Sequence, residues 1–332
     1  MRAEFPEIAR VLREAPRIAV VSHARPDGDA LGSTLALGYS LQAEGREVLM
    51  LNEDGVPEHL AYLPGASAVA SPSQTVQKVE GEAVVVALDC ANRSRLGEGC
   101  LQALSAATFW INLDHHISNE GYGDLVCLAS DLPATGQLLY EFLTSQNFPI
   151  PPETRDGLFV AISTDTGSFQ YSSTNAETFR LVADLLDRGL DVGELNRLTY
   201  HNHPQRKIAL LKELLQVYQL RAGGRLATTW ATGELKSRLG LLPGDTEDAL
   251  LPLRAIDSVV VAVFFEELPS GEIRVSARSK SPRVDVCALC HQFGGGGHAL
   301  AAGARLPGPL ETAREAFLNA TENVIHAAHL DH

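Results

Sequence analysis

The sequence predicts an α/β fold with two domains, a doubly wound parallel sheet at residues 1–190 and a smaller mixed α+β domain at residues 221–332. In the first half, short β-type apolar runs alternate with amphipathic helical segments, the pattern of a parallel sheet. The second half replaces this alternation with strands joined by a turn. The length of 332 residues also exceeds that of one average domain.

Four strands are predicted in the first half, at residues 17–22, 47–52, 83–88 and 109–113. Helices are expected at 29–44, 134–146, 153–163 and 176–188. Leucines at helical spacing then predict a helical linker at 191–220, with a break at Pro204 because proline interrupts a helix.

Beyond this linker, strands are predicted at residues 226–230, 258–265 and 272–277. A turn at 269–271 joins the last two strands. Helices are expected at 246–256, 284–293 and 310–328, which makes the second domain mixed.

Composition and net charge exclude several classes of function. The chain is 45% hydrophobic and 20% charged, without 18 consecutive apolar residues or an apolar export segment, so we expect a cytoplasmic protein and no membrane partner. A net charge of −14 opposes a broad surface for duplex DNA. A small polyanion remains compatible with this charge, because bound divalent cations reverse the local potential.

Acidic and imidazole side chains follow three of the predicted strands. The candidates are His23, Asp27 and Asp29 after the first strand, Asp89 after the third, and Asp114, His115 and His116 after the fourth. The carboxyl ends of parallel strands form the binding crevice of such sheets. A fourth loop carries Asp165 after a helix. Any single loop has a plain structural explanation, such as Asp29 capping its helix, but the repetition predicts one shared site.

This donor set indicates the type of metal. Carboxylates and imidazoles without thiolates suit Mn²⁺ better than a structural zinc ion, and Mg²⁺ or Co²⁺ are alternatives. Two ions about 3.5–4 Å apart activate a water and clamp phosphoryl oxygens. Four aspartates and two histidines would suffice for such a pair if one carboxylate bridges the ions.

The loops, with the signature Asp114-His115-His116 in the right order, resemble the motifs of the DHH phosphoesterase family. Residues 274–280 and 293–303 resemble its DHH-associated C-terminal domain. Within the family, the chain most resembles the bacterial nanoRNases that also act as 3′-phosphoadenosine-5′-phosphate phosphatases. The resemblance implies two domains with the active site in the cleft between them.

The resemblance also implies a role for each residue of the first domain. His23 and Asp27 would bind one Mn²⁺, and Asp29, His115 and Asp165 the other. Asp89 would bridge the two ions. Asp114 would orient the histidines through hydrogen bonds, and His116 would contact the scissile phosphate.

In the second domain, four consecutive glycines at residues 294–297 leave backbone N–H groups accessible to an anion. The guanidinium of Arg278 offers a planar fork for phosphate. Beside the DHH motifs, we expect Arg278, Ser279, Gly296, Gly297 and His298 to bind the non-scissile phosphate or the terminal nucleotide. The alternative is a flexible glycine loop beside a surface arginine.

The predicted activity is therefore hydrolysis of a phosphate ester by a metal-activated water. The substrate would be a short RNA, cleaved to mononucleotides, or 3′-phosphoadenosine-5′-phosphate, cleaved to AMP and phosphate. A linear or cyclic dinucleotide phosphodiesterase is the alternative; an inorganic pyrophosphatase and a non-catalytic nucleotide sensor are less favoured. The glycine fingerprints of dinucleotide-binding and P-loop proteins are absent. A homodimer is only the generic expectation.

Overall fold

The computed structural model describes residues 2–73, 83–247 and 249–328. The chain divides into two compact units, Met1–Asn202 and His203–His332.

The first unit contains a six-stranded sheet in which every strand runs parallel to its neighbours. The strands are β1 (Arg17–Ser22), β2 (Val48–Leu51), β3 (Val69–Ala70), β4 (Ala83–Leu88), β5 (Phe109–Asp114) and β6 (Leu125–Leu128). Their order across the sheet is β3-β2-β1-β4-β5-β6. The four predicted strands are confirmed, and the two short edge strands, β3 and β6, were not predicted.

Seven helices of the first unit lie in its described part. They are α1 (Phe5–Glu14), α2 (Gly28–Ala43), α3 (Glu98–Ala103), α4 (Thr135–Ser145), α5 (Pro152–Asp165), α6 (Ala176–Asp187) and α7 (Val192–Tyr200). Successive residues of β4 enter different cores, with Val86 packing among residues of α2, α4 and α5 and Val85 packing with Cys100 of α3. The sheet is therefore covered on both faces, which explains why most residues of its strands are apolar and confirms the doubly wound fold.

The second unit contains a mixed six-stranded sheet. Its strands are β7 (Gln219–Arg221), β8 (Leu226–Ala231), β9 (Val261–Glu267), β10 (Glu272–Ser279), β11 (Gly296–His298) and β12 (Ala301–Pro307), in the order β11-β12-β10-β9-β8-β7. Strands β8 and β9 are parallel, and the other pairs are antiparallel. The helices are α8 (Gln205–Val217), α9 (Gly233–Leu239), α10 (Leu251–Arg254), α11 (Val286–His291) and α12 (Leu310–Ala327). The predicted mixed α+β domain is confirmed.

For the second unit, one local prediction and the alternative of a flexible glycine loop were wrong. The helix expected at 246–256, of which residue 248 lies outside the described residues, is confined to α10. Pro252 explains this start, because a proline ring clashes with the carbonyl of the residue four positions earlier and fits only the first turn of a helix. The glycine segment is not an open loop, since Gly296–His298 pairs with β12 as an edge strand.

Within the described part of the chain, no helix combines the length and the apolar character that a membrane crossing needs.

Candidate metal centre

The candidate centre begins at the point where the strand order of the first sheet reverses. From β1 the chain passes to β2 and β3 on one side, and then returns to β4 on the other side. Ligand sites in open α/β sheets lie at such a switch point. His23 follows β1 and Asp89 follows β4, and His23 Nε2 lies 3.5 Å from Asp89 Oδ2. Asp27 Oδ2 lies 3.8 Å from the same nitrogen, so these three residues form one group.

A second group forms around His115, which follows β5. His115 Nε2 lies 3.1 Å from Asp165 Oδ2, at the last residue of α5, and 3.9 Å from Asp29 Oδ2, in the first turn of α2. Asp89 Oδ1 lies 3.6 Å from the same nitrogen. A third group joins Asp89 with His115 and His116. Asp89 therefore lies between the first group and the second.

The backbone of Asp89 has a φ of 52°, in the left-handed region that a residue other than glycine rarely adopts. Its N–H donates to the carbonyl of Leu113 at 3.1 Å, which connects it to the neighbouring strand. Such conformations persist where the surrounding structure determines them, and they concentrate at functional sites. Here the unusual φ accompanies a carboxylate at the centre of the cluster.

Asp27 caps α2, since its side chain accepts a hydrogen bond from Ala30 N. The alternative in which Asp29 caps that helix is wrong. Asp29 is fully buried, and its carboxylate accepts hydrogen bonds from Ser33 Oγ at 3.0 Å and from two backbone N–H groups of α4.

Asp114 is oriented by several donors and in turn orients His116. Its carboxylate accepts from the backbone N–H groups of His115 and His116 at 2.8 and 3.2 Å, and it lies 2.7 Å from His116 Nδ1. A carboxylate at this position favours the tautomer with the proton on Nδ1. Asn119 Nδ2 donates to Asp114 Oδ2 at 2.6 Å and to Asn112 Oδ1 at 2.8 Å. Asn119 was not predicted from the sequence, where its one signal was its place in a turn-like segment.

The electrostatics of the site follow from crowding of carboxylates in a buried environment. Burial raises the pKa of Asp29 well above its usual range, and nearby Asp89 and Asp165 add to this effect. Burial alone would lower the histidine pKa values, but the surrounding aspartates raise that of His23 to about 11 and that of His115 to about 10. Burial alone would raise the pKa of Asp89, but the neighbouring histidines lower it to about 2.

These residues fit divalent cations. The convergent atoms are carboxylate oxygens and imidazole nitrogens, and within each group they all lie within 4.8 Å of one another. Positive charge at this point would relieve the repulsion that raises the pKa of Asp29. Oxygen and imidazole donors suit borderline and hard divalent ions.

The candidate substrate residues of the second unit lie on its sheet. Arg278 of β10 pairs with Ala301 of β12, which in turn pairs with His298 of β11. Directly paired residues share a face of the sheet, so Arg278 and His298 lie in one row with a small alanine between them. Ser279 alternates with Arg278 and is buried, and its hydroxyl donates to the carbonyl of Ser281 at 2.9 Å.

Gly296 pairs with Gly303, two residues along β11 from His298, and therefore lies on the same face of the sheet as His298. Gly297, between them, lies on the opposite face. Gly297 has a φ of 142°, and a β-carbon there would lie 2.6 Å from the carbonyl oxygen of Ala301. Its lack of a side chain is therefore required by the approach of β12.

Comparison with known families and proteins agrees with this organisation. The sequence model described as "DHH family, N-terminal domain" matches residues 17–162, and the model of the DHHA1 domain matches residues 227–327. The chain is similar to two curated proteins named bifunctional oligoribonuclease and PAP phosphatase NrnA. The Thermus thermophilus protein is 32% identical over 328 residues, which cover 97% of this chain and 95% of that protein. The Bacillus subtilis protein is 25% identical over 306 residues, 90% of this chain and 92% of that protein.

Among solved structures, an exopolyphosphatase-related protein from Bacteroides fragilis has the same fold. It superposes with a TM-score of 0.91 at 24% identity, over 99% of this chain and 98% of that one. RecJ from Thermus thermophilus gives a TM-score of 0.55 at 19% identity over 99% of this chain and 55% of RecJ. Since both domain models match in order and a relative 32% identical spans nearly the whole of both chains, this chain belongs to the DHH family of phosphoesterases.

Proposed function

We propose that the protein is a Mn²⁺-dependent phosphoesterase that hydrolyses short oligoribonucleotides to mononucleotides and 3′-phosphoadenosine-5′-phosphate to AMP and phosphate. The observation that carries the proposal is the position of Asp89, within 3.6 Å of both His23 and His115 at the switch point of the sheet. The names of the two NrnA proteins support the choice of substrates, because the chain matches at least nine tenths of each.

The proposed ligand assignment follows two of the three groups, His23 with Asp27 and Asp89, and Asp29 with His115 and Asp165. His23 and Asp27 bind one ion, Asp29, His115 and Asp165 bind the other, and Asp89 contacts both. Support comes from the carboxylate and imidazole donors, which meet in these combinations. When bound, the ions would acidify a water molecule and withdraw charge from the phosphoryl oxygens.

The protein itself supplies orientation and charge. Asp114 places the His116 proton on Nδ1 and holds the ring against rotation through a 2.7 Å contact. In this proposal His116 contacts the scissile phosphate and stabilises the charge that develops on it. Fixed donors are effective in such positions because they need no reorganisation during the reaction.

For the second unit, we assign Arg278 and His298 to the non-scissile phosphate or the terminal nucleotide, together with the backbone of Gly296 and Gly297. Their common row on one face of the sheet supports this assignment, and a guanidinium forms paired hydrogen bonds to phosphate oxygens. The hydroxyl of Ser279 is engaged with Ser281, so we assign Ser279 to fixing the end of β10 beside Arg278.

The test is hydrolysis by the purified full chain with Mn²⁺. The panel contains 3′-phosphoadenosine-5′-phosphate, 5′-labelled RNAs of two to twenty-four nucleotides, linear and cyclic dinucleotides, and pyrophosphate. Asp89→Ala is the inactive variant, and Asp156→Asn, which alters a buried carboxylate paired with Arg155 in the same unit, is the matched control.

We expect Mn²⁺-dependent turnover of short RNA and of 3′-phosphoadenosine-5′-phosphate, abolished in Asp89→Ala and retained in Asp156→Asn. Turnover of pyrophosphate alone would contradict the substrate assignment. A preference for dinucleotides over both proposed substrates would favour the dinucleotide phosphodiesterase. Tight nucleotide binding without any turnover would indicate a nucleotide sensor.

A further inference from the structure

The amino-terminal end of α4 lies against the carboxylates of the candidate centre. The residue preceding this helix is Ala134, whose side chain has no hydrogen-bonding group, and the first backbone N–H groups of a helix need external acceptors. Asp29 provides them, accepting from Thr135 N at 2.6 Å through Oδ2 and from Gly136 N at 2.8 Å through Oδ1. A carboxylate from α2 therefore caps α4, where the helix dipole also favours negative charge.

The side chain of Thr135 contacts the second carboxylate. Its hydroxyl donates to Asp89 Oδ1 at 2.9 Å, and all three residues are buried. A single residue thus holds Asp29 through its backbone and Asp89 through its side chain. These carboxylates arise from different parts of the chain, one in α2 and the other after β4.

We propose that Thr135 is a positioning residue that fixes Asp29 and Asp89 relative to one another and thereby sets the affinity of the centre for divalent cations. The inference rests on the proposed function, since it concerns the ligands assigned there. Among the described residues, the imidazoles of His23, His115 and His116 also lie close to the Asp89 carboxylate, and these are assigned to metal or phosphate. The threonine hydroxyl, in contrast, can keep its bond to Asp89 when those imidazoles bind their ligands.

Packing around the start of α4 makes this support rigid. A β-carbon on Gly136 would lie 2.5 Å from the β-carbon of Ala161 and 3.4 Å from Asp29 Oδ1. The first turn of α4 is therefore in close contact with α5, the helix that ends at Asp165. A hydroxyl on this turn has little freedom to move away from Asp89.

Three substitutions separate the hydroxyl from the shape of the side chain. Thr135→Val removes the hydroxyl at nearly constant volume and keeps the backbone bonds to Asp29. Thr135→Ser retains the hydroxyl. Thr154→Val is the matched control, because Thr154 is also fully buried in the first unit but its hydroxyl bonds to the carbonyl of Ala36. For each full-length variant we would measure Mn²⁺ affinity by calorimetry, the Mn²⁺-induced shift in melting temperature, and turnover.

We expect Thr135→Val to lower the affinity for Mn²⁺ about 10- to 100-fold, the usual effect of removing a partner of a metal ligand. Thr135→Ser should restore most of this affinity, and Thr154→Val should match the wild type. The proposal is overturned if Thr135→Val binds Mn²⁺ as the wild type does, or if Thr135→Ser loses as much affinity as Thr135→Val. Absence of Mn²⁺ binding in the wild type would refute the proposed function instead.

Discussion

Gly32 of α2 and Gly157 of α5 lie so close together that a β-carbon on Gly32 would stand 2.5 Å from the carbonyl oxygen of Gly157. A β-carbon on Gly157 would stand 2.7 Å from the carbonyl oxygen of Gly32. Asp29 lies one turn before this contact on α2, and Asp165 ends α5. The approach of the two backbones therefore sets the distance between two of the proposed ligands.

Gly32→Ala should destabilise the protein by roughly 1–3 kcal/mol, because the added methyl group meets backbone atoms that cannot move aside. The two helices should also separate, so Mn²⁺ affinity should fall. The measurements are denaturant unfolding and Mn²⁺ calorimetry.

Gly38→Ala, also in α2, is the control for this substitution. A β-carbon there meets the side chain of Met50, which is flexible, and alanine favours the helix by about 1 kcal/mol. We expect Gly38→Ala to be close to neutral in both assays. Equal effects of the two substitutions would show that the backbone contact at Gly32 has no special importance.

Much of the first unit could be predicted from its sequence, because the apolar pattern of its longer strands matches their buried environment. The run at residues 83–88 is apolar at every position, which suits a strand buried on both faces. Strand β3 has two residues and β6 has four, so neither carries a pattern of its own. Both are defined by pairing with a neighbouring strand, which is a tertiary effect. Strand β12 was missed because its alanines and glycine have low strand propensity.

The residues of the candidate site, like the strands, were predicted only in part. His23, Asp89 and His115 were predicted to meet because each follows a strand and parallel strand ends lie along one edge. Thr135 and Asn119 were missed because their role depends on which atoms they reach. Thr135 begins a helix 46 residues after Asp89, and the sequence offers no spacing rule for such a contact.

Binding of Mn²⁺ should release protons. The pKa values of about 11 for His23 and about 10 for His115 mean that both imidazoles are protonated at neutral pH, whereas a metal ligand must be neutral. Binding therefore expels these protons and those held by Asp29 and Asp165, whose pKa values burial also raises, so the apparent affinity should increase from pH 6 to pH 8.

Calorimetry in buffers with different ionisation enthalpies counts these protons. His23→Ala should reduce the count by about one and also weaken binding. An affinity that is constant between pH 6 and pH 8 would contradict the assignment of both histidines as ligands.

Asn119→Ala should lower kcat by about 10- to 100-fold with little change in KM or in Mn²⁺ affinity, since Asn119 acts on His116 through Asp114. Asn119→Asp should be more damaging, because it places a second carboxylate against Asp114. Steady-state kinetics provide the measurement.

Asn175→Ala is the control for lost stability. Asn175 caps α6, so its removal should cost about 1 kcal/mol without changing kcat. If Asn119→Ala altered only KM, the role assigned to Asn119 would be wrong.

Arg278→Ala should weaken nucleotide binding while leaving the metal centre intact. A hydrogen bond to a charged group contributes about 1.5–3 kcal/mol, so KM should increase by about 10- to 100-fold. Mn²⁺ affinity should not change, because the metal-ligand groups found among the described residues all lie in the first unit. Arg278→Lys should recover only part of the loss, since lysine keeps the charge without the planar fork. Arg305→Ala is the control on the neighbouring strand, where Arg305 lies 4.0 Å from Glu272. An equal increase in KM for both alanine variants would mean that general positive charge on this sheet, rather than the fork of Arg278, attracts the nucleotide.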